Sequence, residues 1–305
     1  MEFNSGFKGL TAFWASIWGN AVKHNPNTSW IRREQTGVSN VTAMEHSPIT
    51  TEQVSRLITK TLSWKAPGPN GINNFWIKRF TATHSYLAYH FNQFMEDAGS
   101  IPDFLVQGIT YLLPESRDCE DPSKYRPITC LCTICKIYTA CIAEKIYRHL
   151  ETNKLLAEEQ KECIKNSQGC KEQLIIDSVV LEQAHKYNRN LYMAHIDYRK
   201  PFDSVLHSWL IRVLEIYKID PLVINSLQQL MKVWTTTLQV KVNDNQITRD
   251  PIPIQRGIYQ GDSLSPLWFC LALNPLSHLL NRTNYGFGIH SDKLETTIEP
   301  SFIYG

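Results

Sequence analysis

The sequence predicts an α+β fold, in which helices and strands share a core without alternating regularly along the chain. One stretch near the N-terminus repeats apolar residues at helical spacing: Leu10, Phe13, Trp14, Ile17, Trp18 and Val22. Another stretch, TTLQVKVNDNQITRD, alternates apolar and polar residues before an Asn-Asp-Asn turn and predicts a β-hairpin. Because the two patterns follow one another in no fixed order, we do not expect a doubly wound parallel sheet.

The remaining elements are predicted from caps, chain breakers and periodicity. Thr50 and Gln53 form a capping box, so a helix begins near residue 51 and ends before the loop KAPGPNG at residues 65–71. The polar residues 24–46 are interpreted as a linker. Further helices are expected at about residues 84–98, 133–152, 169–187, 207–217, 221–234 and 265–281. Strands are expected at about residues 108–113, 126–131, 191–197, 286–290 and 300–304.

Composition and charge describe a chain with a sizeable core and no strong overall field. Of 305 residues 43% are apolar, and 31 basic against 29 acidic side chains leave a formal charge of +2, so nucleic-acid binding would have to come from local patches. No secretion signal is seen, and no apolar run approaches the roughly 20 residues of a membrane helix. We expect an intracellular protein, nuclear or cytoplasmic, with no membrane association and no obligate protein partner.

The cysteines favour buried thiols over a metal site. Eight are present, and Cys132 and Cys135 form a single CxxC without the second pair that a zinc ribbon or finger requires. We therefore interpret them as reduced, apolar side chains on a buried element.

Residues 190–205, NLYMAHIDYRKPFDSV, contain the first candidate site. An apolar strand runs into Asp197, where a carboxylate meets solvent and nearby cations. Aspartates at strand ends also serve in turns, and Asp203 is equally suited to cap a helix that begins at Ser204. The residues alone leave a metal ligand and a turn residue both open.

Two further stretches carry candidate binding residues. In RGIYQGDSLSPLWF, residues 256–269, glycines on both sides of Gln260 let a flat ring or a backbone approach closely, although an ordinary helix start fits equally well. Ser265 followed by proline predicts that start, with Ser265 as the cap. In KYRPITCL, residues 124–131, Arg126 suits a phosphate clamp, but a lone arginine is usually a solvated surface residue.

Five stretches together resemble one family. KAPGPNGI at 65, KYRPI at 124, QKECIKNSQGCKEQLI at 160, IDYRKPFDSV at 196 and RGIYQGDSLSPLWF at 256 have the order and spacing found in reverse transcriptases of non-LTR (LINE-type) retrotransposons. The resemblance covers roughly residues 10–305. It implies a right-hand polymerase, with an N-terminal amphipathic helix and linker at 1–45, fingers at 46–189, a partial palm at 190–305 and no thumb.

The implied activity is RNA-directed DNA polymerisation, in which two Mg²⁺ ions promote transfer of deoxynucleotides from their triphosphates to a DNA primer on an RNA template. Asp197 matches the first metal-binding, catalytic carboxylate of the family's DxxKAFD motif, and the carbonyl of Tyr198 is the expected backbone ligand. Phe202 matches the ring that disfavours a 2′ hydroxyl on the incoming sugar. Gln260 and Gly261 match residues that line the nucleotide pocket.

The resemblance also implies contacts in the fingers and exposes departures from the family. Arg126 matches a phosphate-contacting arginine, and Lys65 and Lys136 match basic positions expected to contact the template backbone. Where the family usually has Pro-Lys, this chain has Pro114 and Glu115, which reverses a charge near the expected phosphates. Other departures are Pro201 in place of alanine, Asn70 in place of aspartate and Glu162 in place of glycine.

The largest departure concerns the second half of the metal site. In the family two aspartates follow the strand that corresponds to SFIYG, and here that segment ends at Gly305. A two-ion site with one protein carboxylate loses several kcal/mol of transition-state stabilisation, and about 1.4 kcal/mol is tenfold in rate. We therefore expect a truncated copy with little or no polymerase activity. The alternative is a remnant that binds RNA, in a salt-dependent manner, without chemistry.

Overall fold

A computed structural model describes residues 2–115, 121–161, 167–242, 245–248, 250–283, 285–291 and 294–298. The helices of these residues are α1 (Glu2–Trp18), α2 (Ser29–Gly37), α3 (Thr51–Lys60), α4 (Asn74–Arg79), α5 (Thr83–Glu96), α6 (Asp103–Val106), α7 (Thr133–Thr152), α8 (Cys170–Lys186), α9 (Pro201–Ser204), α10 (His207–Ile216), α11 (Pro221–Val233) and α12 (Ser265–Asn281). The strands are β1 (Gln107–Pro114), β2 (Tyr125–Leu131), β3 (Thr235–Val242), β4 (Asn245–Thr248), β5 (Ile252–Pro253), β6 (Phe287–Ser291) and β7 (Leu294–Ile298). The α+β class is confirmed.

One mixed sheet organises the centre of the molecule. Its strand order is β2-β1-β3-β4, with β5 also paired to β3, and the neighbouring strands are antiparallel except for β1 and β3. The hydroxyl of Thr110 on β1 forms hydrogen bonds with the hydroxyls of Thr129 on β2, at 2.8 Å, and Thr236 on β3, at 2.6 Å. These three threonines form a buried polar row that links the three strands. A separate antiparallel pair, β6 and β7, forms a second small sheet.

Local cues set most helix boundaries as expected. The Thr50 side chain accepts a hydrogen bond from the backbone of Gln53 at 3.1 Å, and α3 begins at residue 51 as predicted. The prediction that Ser265 caps α12 is wrong by one position. Leu264 occupies the cap, Ser265 is already helical, and its buried hydroxyl has no hydrogen-bond partner among the described residues.

The N-terminal segment belongs to the core. Trp14 and Trp18 of α1 are buried and stack on each other, with ring centroids 4.8 Å apart. Residues 24–46 are not a linker throughout, because they contain α2, whose Ile31 and Glu34 are buried. Glu34 accepts hydrogen bonds from Tyr217 at 2.9 Å and His278 at 2.7 Å, so partners distant in sequence hold this polar helix in place.

The predicted strand at 191–197 is wrong for the structure described. These residues are irregular and mostly exposed, with Tyr192 at 91% and Ile196 at 64% of full exposure. An apolar segment becomes a strand only when another strand accepts and donates its backbone hydrogen bonds, and the ladders of the described strands contain no residue of this segment. The predicted strand at 300–304 lies outside the described residues.

Cys132 and Cys135 are buried free thiols, as expected, and burial raises the pKa of each above its ordinary value. Such thiols are poor nucleophiles and poor metal ligands at neutral pH.

Among the described residues, no helix combines the length and the apolar character that crossing a membrane requires.

Candidate nucleotide and metal site

The short helix α9 and the glycine-containing loop before α12 are joined by their backbones. Ile258 donates its N–H to the carbonyl of Phe202 at 2.9 Å, and Gly257 donates to Val205 at 2.8 Å. Gly257 has φ +88°, and a Cβ there would lie 3.0 Å from the Cα of Asp203. A larger residue would therefore push the loop off α9.

The same loop is fixed to the sheet through Gln260 and Gly261. Thr129 of β2 donates its N–H to the carbonyl of Gln260 at 2.8 Å. Gly261 has φ +127°, and a Cβ there would lie 2.6 Å from the carbonyl oxygen of Thr129, closer than real contacts allow. Both predicted pocket residues thus lie where a loop crosses a strand, and the half-buried Gln260 side chain reaches towards α9.

Asp203 connects three parts of the chain. It is 2% exposed, and its carboxylate accepts hydrogen bonds from Trp18 Nε1 at 2.8 Å and Gln260 Nε2 at 3.4 Å. Burial raises its pKa to about 6, although these hydrogen bonds oppose the shift. The interpretation of Asp203 as a helix cap is wrong, because it lies within α9 and the N-cap of α10 is Leu206.

A cavity of about 10 Å³ lies beneath this junction. Its lining includes Asp203, Gln260, Trp18 and the threonines of the buried polar row. It is roughly the size of one water molecule and is too small to hold a nucleotide.

Two cations share one carboxylate beside β2. Lys200 donates to the carbonyl of Tyr125 at 2.7 Å and to Glu115 at 3.3 Å, and Arg126 Nε donates to Glu115 at 3.2 Å. Partial burial of Glu115 favours its neutral form, but the hydrogen bonds from both cations outweigh this and lower its pKa. The reversed charge noted in the sequence therefore offsets part of the positive charge of Lys200 and of Arg126, the residue expected to meet phosphates.

The residues expected at the metal and the sugar lie on the adjoining segment. Asp197 and Tyr198 are exposed. Phe202 is half-buried, and its ring stacks on Phe269 with centroids 5.0 Å apart and planes 15° apart. Within the part of the chain that the structure describes, no group of three His, Cys, Asp or Glu side chains is arranged to hold a metal ion.

The two lysines predicted to contact template differ in their surroundings. Lys65 is exposed on the loop after α3, whereas Lys136 is half-buried in the first turn of α7. Lys136 acts electrostatically on Asp262, a buried carboxylate that accepts a hydrogen bond from Thr139 at 2.6 Å. Burial raises the pKa of Asp262 and outweighs that bond and the lysine charge.

Comparison with known proteins identifies the class that this arrangement belongs to. Residues 115–295 match the family described as reverse transcriptase (RNA-dependent DNA polymerase), and the chain belongs to that family. Among its relatives are two Pol polyproteins of the retrotransposable element R2. One, of type 1 and from Popillia japonica, is 29% identical over 78% of this chain, and the other, of type 2 (R2DM) and from Drosophila melanogaster, is 25% identical over 75%. The Transposon TX1 uncharacterized 149 kDa protein of Xenopus laevis is 26% identical over 77%.

These names confirm the resemblance to non-LTR retrotransposon proteins. The chain spans 32% of the length of the Popillia relative, 20% of the Drosophila relative and 18% of the Xenopus relative. What the whole relatives do is therefore not transferred to this chain as a finding.

Sequence reasoning missed the contacts of three residues that hold the site together. Trp18 and Asp203 are 185 positions apart, and no local pattern links an indole on an N-terminal helix to a carboxylate after residue 200. Lys200 stood in the motif but received no role, although it contacts both Glu115 and Tyr125. The available signal was charge: Arg126, Lys200 and the reversed acid Glu115 occur in or beside stretches that the resemblance brings together.

Proposed function

We propose that the chain forms the fingers, residues 46–189, and part of the palm, residues 190–305, of an RNA-directed DNA polymerase. It would extend a DNA primer with deoxynucleoside triphosphates on an RNA template. One observation carries the proposal. Contacts of Glu115 with Arg126 and Lys200, and of Asp203 with Gln260, join three separate sequence motifs into one connected network of side chains.

Each motif supplies a distinct function in this proposal. Arg126 and Lys200 bind the triphosphate, which has to displace Glu115 from both cations as it enters. Gln260 lines the base pocket, and its position is set by Asp203 and by the sheet. Phe202 contacts the sugar. Because stacking on Phe269 holds its ring in place, the 2′ hydroxyl of a ribose would clash with the ring.

The family implies Mg²⁺, whose chemistry is activation of the primer hydroxyl and neutralisation of phosphate charge. Asp197 and the carbonyl of Tyr198 would supply ligands from an exposed loop. Among the described residues, no group of three His, Cys, Asp or Glu side chains is arranged to hold a metal ion, so these residues do not fit a complete two-ion site. We therefore assign no step to the metal, and the roles proposed above concern binding and orientation only.

A second candidate function is RNA binding without polymerisation. Two observations favour it: the described residues contain no group of three side chains arranged to hold a metal ion, and Glu115 competes with a triphosphate for both Arg126 and Lys200. Lys65 and Lys136 remain predicted contacts for the template in both candidates.

Primer extension on an RNA template with Mg²⁺ separates the two. If the chain incorporates deoxynucleotides and Asp197→Asn abolishes incorporation, polymerase function is supported. Phe202→Val should then admit ribonucleotides more readily than the parent does. No incorporation, together with RNA affinity that falls steeply with salt, would favour binding without chemistry. Incorporation that survives Asp197→Asn would contradict the assignment of Asp197.

A further inference from the structure

A cluster of exposed aromatic side chains lies on α4, α5 and the loop before them, outside the proposed nucleotide site. Trp64, Trp76, Phe80 and Tyr86 are 72%, 50%, 57% and 69% exposed. Single exposed aromatics are common on protein surfaces, but contiguous ones mark binding sites. We call these four residues the aromatic surface.

The rings of this surface present flat faces beside a groove. Trp64 stacks on Phe75 with centroids 4.7 Å apart and planes 15° apart, and Trp76 and Phe80 are 6.0 Å and 13° apart. The groove has a volume of about 460 Å³. Trp76, Phe80 and Tyr86 line it together with the buried Ile77. Its size and flat walls suit planar rings from a ligand.

The charge around the aromatic surface has one sign. Residues 53–95 contain no Asp or Glu. Four cations in this range, Lys60, Lys65, Lys78 and Arg79, form no ion pair with any described carboxylate. The guanidinium of Arg79 instead lies 5.6 Å from the centre of the Phe75 ring. A ligand that uses these cations has to be anionic.

The surface lies at the far end of β2 from the proposed phosphate site. Gly68, three residues after Lys65, packs so closely on Leu131 and Cys132 that a Cβ there would lie 2.4 Å from their backbones. Arg126 and its partner Glu115 lie at the beginning of the same strand. The two sites are thus separated by the length of β2, about 20 Å for a strand of this length.

We propose that the aromatic surface and its four cations bind single-stranded nucleic acid, with bases stacked on the rings and phosphates held by the lysines and Arg79. A single strand combines an anionic backbone with unstacked bases, whereas a duplex hides its base faces. A helical peptide would use the apolar groove but not four unpaired cations. The inference rests on the proposed function insofar as the strand bound would be the RNA template.

Binding of a labelled single-stranded RNA of about 20 nucleotides to the full chain tests the proposal, with no nucleotide and with EDTA present. Trp76→Leu and Tyr86→Leu keep apolar bulk but remove the stacking ring, so each should weaken binding by roughly 5- to 150-fold. Tyr285→Leu, at a residue 81% exposed before β6, is the matched control and should bind like the parent. Thermal unfolding of every variant checks that each remains folded.

The contribution of the cations to RNA binding is measured separately, from the salt dependence of the affinity. Replacing both Lys78 and Arg79 with Gln should reduce the slope of log affinity against log salt by about 1.4, while Lys232→Gln, an exposed lysine on α11, leaves it unchanged. Parent-like affinity in both ring variants, or equal binding of duplex RNA, overturns the proposal. A ring variant that changes sedimentation but not RNA binding would instead make the surface a contact between copies of the chain, and also overturns it.

These outcomes are independent of the polymerase test. Because EDTA removes the metal and no nucleotide is present, the binding experiment does not involve Asp197. If primer extension fails but RNA binding still depends on the rings, the result counts against catalysis alone. Primer extension with ring-independent binding counts against the aromatic surface alone.

Discussion

Replacing Trp18 with Phe removes one hydrogen bond and keeps an aromatic ring in the same place. In the parent, the Trp18 indole donates to the buried carboxylate of Asp203 at 2.8 Å, while the other oxygen has only a longer bond from Gln260, at 3.4 Å. Hydrogen bonds to charged groups contribute roughly 1.5–3 kcal/mol, and neutral ones about 0.5–1.5 kcal/mol. The loss should therefore depend on whether Asp203 is ionised.

Whether the contribution of Asp203 to stability rises or falls with pH follows from the direction of its pKa shift. The pKa of Asp203 is raised from an ordinary 3.8 to about 6, so the folded chain binds this proton more tightly than the unfolded chain does. Its contribution to stability is complete below about pH 4 and is lost as the pH rises through 6, by about 3 kcal/mol in total. Trp18→Phe removes a bond that favours the ionised form. It should raise this pKa further and cost about 1–1.5 kcal/mol more at pH 8 than at pH 4.

Urea unfolding of the full chain at both pH values measures this difference. Trp14→Phe is the matched control, because Trp14 is equally buried on α1 but its indole nitrogen has no hydrogen-bond partner among the described residues. Its loss should be the same at both pH values. Asp203→Asn should flatten the pH dependence between 4 and 8. An equal loss at the two pH values for Trp18→Phe would refute the reasoning, since it would show that the ring matters only through packing.

Three further predictions test other contacts. Glu34→Gln should lower the free energy of unfolding by roughly 1.5–3 kcal/mol near neutral pH. Burial of Glu34 opposes its ionisation, but hydrogen bonds and nearby positive charge hold its pKa below the ordinary 4.5, so the loss should vanish as the pH falls below that value; a loss that persists there contradicts it. Glu115→Gln should release Arg126 and tighten binding of a deoxynucleoside triphosphate, with less than about 1 kcal/mol change in stability; unchanged affinity in a titration argues against the phosphate contact. Gly261→Ala should cost at least about 1–3 kcal/mol in urea, whereas Gly9→Ala, whose added Cβ meets nothing within 4 Å, should change stability by no more than about 1 kcal/mol; equal stabilities would count against the backbone argument.

Local chemistry explains which parts of the fold were predictable. The Thr50 cap, the chain breakers after α3 and the periodicity of α7 act within a few residues, and the structure follows them. The residues of the segment 191–197 also favour a strand, but none of them pairs with a described strand. Strand pairing depends on a partner elsewhere in the chain, which local chemistry does not reveal. α2 was missed for the opposite reason, since the burial of its Glu34 depends on partners more than 180 residues away.

In the candidate site, too, the features set by local chemistry were predictable and those set by distant contacts were not. Gly257 and Gly261 were visible because only glycine permits their positive φ and close contacts, and the two glycines marked the loop correctly. The charge reversal at Glu115 was visible in the sequence, whereas its contacts with Arg126 and Lys200 were not. The burial of Asp203 was not predictable, because an aspartate in a short polar segment is typical of a turn or a helix cap. Its burial depends on the contact with Trp18, which is distant in sequence.

The two buried carboxylates change how the N-terminal residues 1–45 should be regarded. Glu34 on α2 is bound by residues of α12 and of the turn after α10, and Asp203 on α9 is bound by Trp18 of α1. Their pKa values are shifted in opposite directions: acidification weakens the attachment through Glu34, whereas alkalinisation strengthens the hydrogen bond from Trp18 to Asp203 but makes burial of that carboxylate more costly. Removing residues 1–45 would leave Asp203 without its shortest hydrogen bond and expose the apolar surface that Trp14 covers. The segment predicted as an N-terminal amphipathic helix and linker is therefore part of the folded unit, and its deletion should destabilise the loop that carries Gln260.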